Sequence, residues 1–488
     1  MKRLALIWLA AFLGTGGAFG GEAITAFQPG KPPPPEALQH LQVKAVVAEF
    51  LDPDRTALGK ELGYLVWREI LTAISDQRGA GVIVAHPPGK ERLVDLLQQS
   101  YHQAALQIAE SQKARMAVWG AVSEQDGRVV IDTYLSLVGE VTRDELALRL
   151  NWADSPAQKP KDTGLAARIS RTRFNFPRVW TTREELFVRP LLVQQDTPVR
   201  EQPGSGQTLT TARAGETLQA EGMEGEWFRV RVPAGTPGYV KSWDVYVPPR
   251  RVETIHDEPL SAQAAAKAAT AGRAKANTAY AVLASRYVPN VGLWYRIATP
   301  TGEGWVRAFR VRTRFSLPVV HFAAGLYRYQ LGRYEDAARE FEQFTRTEGA
   351  AADPPSLSSA YQLLGASQLM HLSVSRKDVA RSSPEPNRAF ERAIAVTPFD
   401  AGAYTLRAVS TLAVQQSVGN ALPDVTKALD YDPDNSDARN TLARMQALST
   451  NKGAPLPMRL KVDVLGTEGK PLRDRIDELA RKYKVEPK

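Results

Sequence analysis

Residues 225–245 read GEWFRVRVPAGTPGYVKSWDV, and residues 292–311 read GLWYRIATPTGEGWVRAFRV. The two stretches repeat one pattern 67 residues apart (292 − 225). Trp227 matches Trp294, Phe228 matches Tyr295, Arg229 matches Arg296 and Val230 matches Ile297. Further on, Gly238 matches Gly304, Tyr239 matches Trp305 and Val240 matches Val306, with one residue fewer in the second copy. Internal repetition sets an architecture, so it is read before anything else. Around the first copy, residues 186–246 alternate in short runs punctuated by Gly204, Gly206, Gly215, Gly222, Gly225, Gly235 and Gly238. That is the pattern of a small all-β barrel. Side chains alternate along a strand, so Trp227, Arg229 and Arg231 share one face and Phe228, Val230 and Val232 the other. The second face is expected in the core. Gly238 is expected at a tight turn between strands.

Thr197-Pro198-Val199-Arg200-Glu201-Gln202-Pro203, then Ala214-Gly215-Glu216-Thr217-Leu218, then Glu226-Trp227-Phe228-Arg229-Val230, then Gly238-Tyr239-Val240, resemble in that order the bacterial SH3 (SH3b) family. Pro198 stands where that family usually has Asn, and Tyr239 where it often has Trp. The second copy keeps Trp294, Ile297, Gly304, Trp305 and Val306 but lacks the opening motif. In its place stands SAQAAAKAATAGRAKA (261–276), whose alanines predict a helix. The second module is therefore expected to be degenerate or rebuilt. The resemblance implies binding of peptidoglycan, a peptide or another domain, and Trp227, Tyr239, Trp243, Trp294 and Trp305 are the candidate groove aromatics.

From His321 the periodicity becomes helical. Gly325, Gly332, Tyr334, Ala337 and Phe341 follow one another at the spacing of the tetratricopeptide (TPR) repeat. Gly365 opens a second repeat that Phe390, Ala393 and Pro398 close, and Val425, Ala428 and Pro433 close a third. HLSVSRKDVARSS (371–383) lengthens the second repeat and is expected as an inserted loop. Asn435 to Leu448 is expected as a further helix. The TPR resemblance implies a concave helical surface that receives a peptide or a partner domain. In the tail, Leu472, Ile476, Leu479 and Tyr483 fall on one helical face that is expected to dock on the end of the array.

Upstream, Val43–Phe50 and Gly81–Val84 suit strands, and Leu58, Leu62, Leu65, Val66, Ile70 and Ile74 recur at helical spacing. Leu93, Leu96, Leu97, Tyr101 and Leu106 suggest more helix. Ala117–Val122 and Val129–Leu135 read as a hairpin about Asp126-Gly127. Phe174-Asn175-Phe176-Pro177 suits an edge strand. The run VWGAVSEQDGRVVIDTYLSL (118–137), behind a strand and a long helix, resembles the small N-terminal α/β domain of TolB and of curli-export and flagellar-accessory proteins. That resemblance implies a protein-contacting envelope domain. No G-x-G-x-x-G and no Walker-type loop accompanies it.

The N-terminus, MKRLALIWLAAFLGTGGAFG, has two cations, an apolar run and small residues, the three parts of a secretory signal peptide. Gln28 to Pro35, with four consecutive prolines, reads as an extended linker. The 488-residue chain has no cysteine, so an exported form relies on its cores and carries no lipid-acceptor thiol. Its formal charge of +9 is scattered along the sequence. Of six histidines (His40, His86, His102, His256, His321, His371) none shows metal-ligand spacing except in His256-Asp257-Glu258, which reads as a linker, and no nucleophile motif is present.

The expected organisation is a multidomain α+β chain. A signal peptide (1–20) and a Pro-rich linker (21–40) precede a small α/β domain (41–182). An SH3b barrel (183–250) and a second, degenerate SH3b-like module with an Ala-rich helix (251–316) follow. A TPR-like α-solenoid (317–450) and a tail with an amphipathic helix (451–488) complete it. The expected function is that of a periplasmic or secreted non-catalytic scaffold. It would bind an envelope protein or peptide in the helical groove, with no cofactor, metal, nucleic acid or integral membrane span. The alternatives are peptidoglycan binding through the barrels, and an accessory cell-wall enzyme.

Overall fold

The computed structural model describes residues 43–74, 80–85, 101–139, 146–152, 161–204, 206–232, 235–242, 244–288, 291–349, 351–375, 385–415, 417–449 and 469–485. The expected signal peptide and linker, the segment around Leu93–Leu97, Trp243 and most of the 371–383 insert lie outside these residues. The chain forms two compact units, one from the residues up to Thr133 with Arg178–Val320, the other from Tyr134–Pro177 with the residues from His321 on. The α/β segment expected over 41–182 is therefore divided between the two.

The first part runs β1 (Val43–Ala48), α1 (Leu58–Ala73), β2 (Ala80–Ala85), α2 (Tyr101–Ser111), β3 (Met116–Gln125), β4 (Arg128–Leu137), β5 (Leu148–Trp152), β6 (Lys161–Ala167), β7 (Arg173–Asn175), β8 (Val179–Thr181) and α3 (Arg183–Phe187). In the first unit β1 lies between β2 and β3 and is parallel to both. β4 follows β3, and Val129–Ile131 pair with β8. Asp126 (φ 52°) and Gly127 (φ 73°) make the two-residue turn of the β3–β4 hairpin, with the positive φ values that a type I′ turn needs. α1 is buried on nearly every side, its polar residues Glu61, Arg68 and Glu69 included. A helix buried all round lies between other elements and not on the surface.

The middle of the chain contains one fold drawn twice. β9 (Arg189–Val193), β10 (Thr197–Arg200), β11 (Thr208–Ala212), β12 (Thr217–Glu224), β13 (Trp227–Arg231), β14 (Pro237–Lys241) and β15 (Val245–Tyr246) form a sheet of order β11-β10-β14-β13-β12-β9-β15. β16 (Arg251–Thr254), β17 (Glu258–Ser261), β18 (Thr270–Ala274), β19 (Ala279–Val288), β20 (Gly292–Thr299), β21 (Gly302–Arg307) and β22 (Val311–Arg314) form a second of order β18-β17-β21-β20-β19-β16-β22. Strand for strand the orders are the same, and so are the irregularities. The register slips at Ala220/Gly222 in one and Val282/Ala284 in the other, and again at Val199/Arg200 and Leu260/Ser261.

This corrects two expectations. The alanine-rich stretch is not a helix: its backbone turns over 262–269 and then enters β18, which pairs with β17. Ala264 and Ala274 are buried. Strand pairing and burial outweigh the helix propensity of alanine, which is a small per-residue term. Nor is Gly238 at a turn. It lies within β14, where a Cβ would come within 2.5 Å of Val199 Cγ1; at Gly304 a Cβ would come as close to Leu260 Cβ. Both glycines exist because the strand crosses its neighbour at close range. The two sheets share one core in which Leu192 and Tyr246 pack with Val252, Leu260, Tyr295 and Ile297. The hydroxyls of Tyr246 and Tyr295 meet there at 3.0 Å.

The second unit is built on helices α4 (Pro318–Gln330), α5 (Tyr334–Thr347), α6 (Pro354–Ser375), α7 (Glu385–Val396), α8 (Ala401–Val414), α9 (Val418–Tyr431), α10 (Ser436–Ser449) and α11 (Gly469–Lys482). A Cβ at Gly325 would lie 2.8 Å from the Phe341 ring, and one at Gly365 would lie 2.8 Å from the Phe390 ring. The first two helix pairs thus close with the same glycine-on-phenylalanine contact. Ala337, Ala393 and Ala428 are fully buried, while Gly332 (φ 74°) ends the link to α5 and Pro398 and Pro433 sit exposed in links. His371–Ser375 continue α6. On α11, Leu472 and Ile476 are fully buried, and Asp477 accepts a hydrogen bond from Gln446 Nε2 at 2.8 Å.

One face of these helices carries the chain's own strands. β5 and β6 pair with each other, and Tyr134–Ser136 pair with β7. These strands lie along α4, α6, α8 and α10. The backbone N–H of Arg168 donates to Asp437 (2.9 Å), that of Ser170 to Gln362 (3.3 Å) and that of Asn175 to Ser356 (2.8 Å). Phe174 stacks on Phe322 at 4.6 Å, and Phe176 meets Phe322 and Phe344 at 5.4 and 5.7 Å.

Candidate ligand-binding faces

Each of the repeated sheets carries the same pattern on its β13–β14 or β20–β21 hairpin. Trp227 faces Lys241 and Arg229 faces Tyr239; in the second copy Trp294 faces Arg307 and Arg296 faces Trp305. Ring and cation therefore alternate along each strand and across each pair. The Lys241 ammonium lies 5.1 Å from the Trp227 ring, and the Arg307 guanidinium 5.2 Å from Trp294. Such contacts hold a cation over a π face without neutralising it.

The five candidate aromatics are not equivalent. Trp227 and Trp294 are 5% and 4% exposed and belong to the packed structure. Tyr239 and Trp305 are half-buried and reach the surface. The Tyr239 hydroxyl donates to Glu224 Oε1 at 2.9 Å. Phe309, which the sequence reading passed over, is 69% exposed and stacks on Arg307 at 5.7 Å. Laying KSWDV (241–245) on RAFRV (307–311) puts it opposite Trp243, and that alignment is the signal that could have found it.

One side of the first copy is already in use. Lys60, Tyr64, Arg68 and Thr72 fall four residues apart along one face of α1. Lys60 Nζ lies 3.8 Å from the Cβ position of Gly225. The Tyr64 hydroxyl donates to Glu226 at 3.4 Å, Arg68 donates to the Val245 carbonyl, and Thr72 donates to the Val247 carbonyl at 2.8 Å. Glu61 sits in the same contact. Burial pushes its carboxyl up from 4.5 to about 7, although Arg183, 3.5 Å away, and the Gly225 N–H pull it down. The folded chain thus holds this proton more tightly than the unfolded chain. That contribution is fully present below the ordinary value of 4.5 and is lost as pH rises to about 7. Glu61→Gln is expected to stabilise the first unit by about 1–3 kcal/mol near pH 8 and by much less near pH 4, read by urea unfolding at both. An equal gain at both pH values would refute a buried, proton-hungry Glu61.

In the second unit a cleft of about 420 Å³ opens between Arg168, Phe399, Asp400, Tyr431 and Asp437. Its polar groups already serve the fold. Asp400 caps α8 through the N–H groups of Gly402 and Ala403 and accepts from Ser170 and Gln362. Asp437 takes Arg168. Among the described residues, no cluster of three or more His, Asp or Glu is placed to hold a metal ion, and no helix is long and apolar enough to cross a membrane.

Comparison with known proteins fits the first copy. Residues 196–246 match the family model of the bacterial SH3 domain. The match spans β10 to β15 of the first sheet. Among solved structures the chain is similar to NlpC2 and NlpC1 from Trichomonas vaginalis, each at 10% identity over 26% of this chain. It spans about half the length of those proteins, 48% and 46%, and the TM-score of 0.15 in both cases carries no argument. No curated protein matches the chain.

Proposed function

We propose that this protein is an extracytoplasmic, non-catalytic scaffold that holds cell-envelope proteins on two SH3-type modules, each a small barrel. The observation that carries the reading is the alternating aromatic–cation face built twice on a common strand order, in a chain where one copy matches the bacterial SH3 domain. Half-buried rings beside cations suit recognition of a folded surface or peptide, because rings supply area at little entropic cost and cations supply direction. The helices from α4 to α10 act as a TPR-like array whose partner face is filled from within by residues 146–152 and 161–176. The N-terminal α/β part positions the first module through α1. The apolar leader, read as a signal peptide, sends the chain out of the cytoplasm.

Co-sedimentation of the full chain with purified sacculi, at low and raised salt, tests this. A scaffold for proteins shows weak binding that salt removes, since screening acts on exposed charges. Salt-resistant binding that Tyr239→Ala and Trp305→Ala abolish would replace the scaffold reading with direct peptidoglycan recognition.

A further inference from the structure

We propose that the second module docks an acidic, amphipathic helix of a partner protein on the face formed by Arg296, Trp305, Arg307 and Phe309. The formal positive charge of the two modules is unevenly divided. Residues 251–314 hold ten Lys and Arg against four Asp and Glu, a formal +6; residues 189–246 hold six against seven, a formal −1. The two copies share their strand order and diverge in charge, so the difference belongs to the second module's surface and not to its fold.

The first copy shows what this side of the module accepts. α1 crosses it from the hairpin at 225–226 to the carbonyls of Val245 and Val247, using one residue per turn. In the second copy the matching positions are Gly292, Leu293, Val311 and Thr313, and the turn between the end of β21 and the start of β22 lies next to Val311. There Arg307 is held between two rings, Trp294 and Phe309, and pairs with no carboxylate among the described residues. Among the described residues of the first unit, Phe309 is the most exposed aromatic side chain, at 69%. A large exposed ring beside a guanidinium, on a module of net positive charge, calls for an apolar stripe flanked by carboxylates. An acidic amphipathic helix presents both on one face.

This rests on the scaffold reading, but its test is separate. The full chain is titrated into a fluorescein-labelled 21-residue peptide made of three Glu-Leu-Glu-Glu-Leu-Leu-Glu repeats, followed by anisotropy. A 21-residue all-glutamate peptide and phosphatidylglycerol vesicles serve as comparisons. The Leu-containing peptide is expected to bind, and Phe309→Ser and Arg307→Ser to weaken it at least tenfold. Arg213→Ser, at an exposed cation of the first module outside the aromatic–cation face, should leave binding unchanged. Phe309 is exposed, so its loss does not open the core, and near-UV circular dichroism checks that each variant is folded. The inference falls if the Leu-containing peptide does not bind or the two variants bind as the wild type does. It falls equally if the all-glutamate peptide or the vesicles bind as tightly, which is ion exchange. The sacculus assay can fail without touching this result, and the titration can fail without touching that one.

Discussion

Replacing Glu69 by alanine is expected to destabilise the first unit by about 3–5 kcal/mol, because it strands a guanidinium in the interior. Arg189 and Glu69 are 2% and 0% exposed and pair at 2.7 Å. Arg189 Nη2 also donates to the Leu186 carbonyl and to Ser316 Oγ, while Ser316 Oγ donates to Glu69 at 2.7 Å. One ion pair therefore ties α1, the first strand of the first module and the segment after the second. Removing one partner leaves a buried charge without a counter-ion, which costs more than the pair itself contributes. The paired replacement Glu69→Met with Arg189→Met should recover most of the loss, since an apolar pair of similar volume needs no desolvation of charge. Urea unfolding of the three variants decides it. A single variant within 1 kcal/mol of the wild type would show that the pair is solvated in solution.

Phe174→Ala is expected to cost the second unit about 3–5 kcal/mol, the range for deleting a buried aromatic ring. Phe174 is fully buried against Phe322, which in turn packs on Phe341 and Phe344 at 5.5 Å. The ring is thus part of the helical core although it lies far upstream in sequence. Thermal unfolding followed at 222 nm should show the helical transition moved to lower temperature. A helical transition that keeps its midpoint would mean that residues 146–152 and 161–176 rest on the helices without stabilising them.

The repeat was legible because it is written in residue types with one structural use each. Tryptophan, glycine and a β-branched residue recur at fixed offsets, and the glycines at 238 and 304 recur because a Cβ would strike the crossing strand. The β3–β4 hairpin was legible in Asp126-Gly127, and the helix pairs in Gly325 with Phe341 and Gly365 with Phe390, for the same reason: local geometry selects the residue.

Other features were settled by distant neighbours. Alanines at 261–276 read as helix in isolation, yet β17 offers an edge that turns their second half into a strand. Strands β5 to β7 carry no mark in the sequence of the helices they pack on. The backbone N–H groups of Arg168 and Ser170, between β6 and β7, and of Asn175 in β7 find acceptors on Asp437, Gln362 and Ser356, which follow them by well over a hundred residues. Neither Glu69 nor Arg189 announces its partner, because a buried ion pair is fixed by the approach of two elements and not by spacing along either. The sequence by itself determined the duplication, the aromatic–cation alternation and many of the element types, the alanine-rich stretch excepted, all of which follow from periods of a few residues. Tertiary structure alone decided which tryptophans are buried and which helical face is already filled, because each depends on contacts between segments whose separation carries no periodic signal.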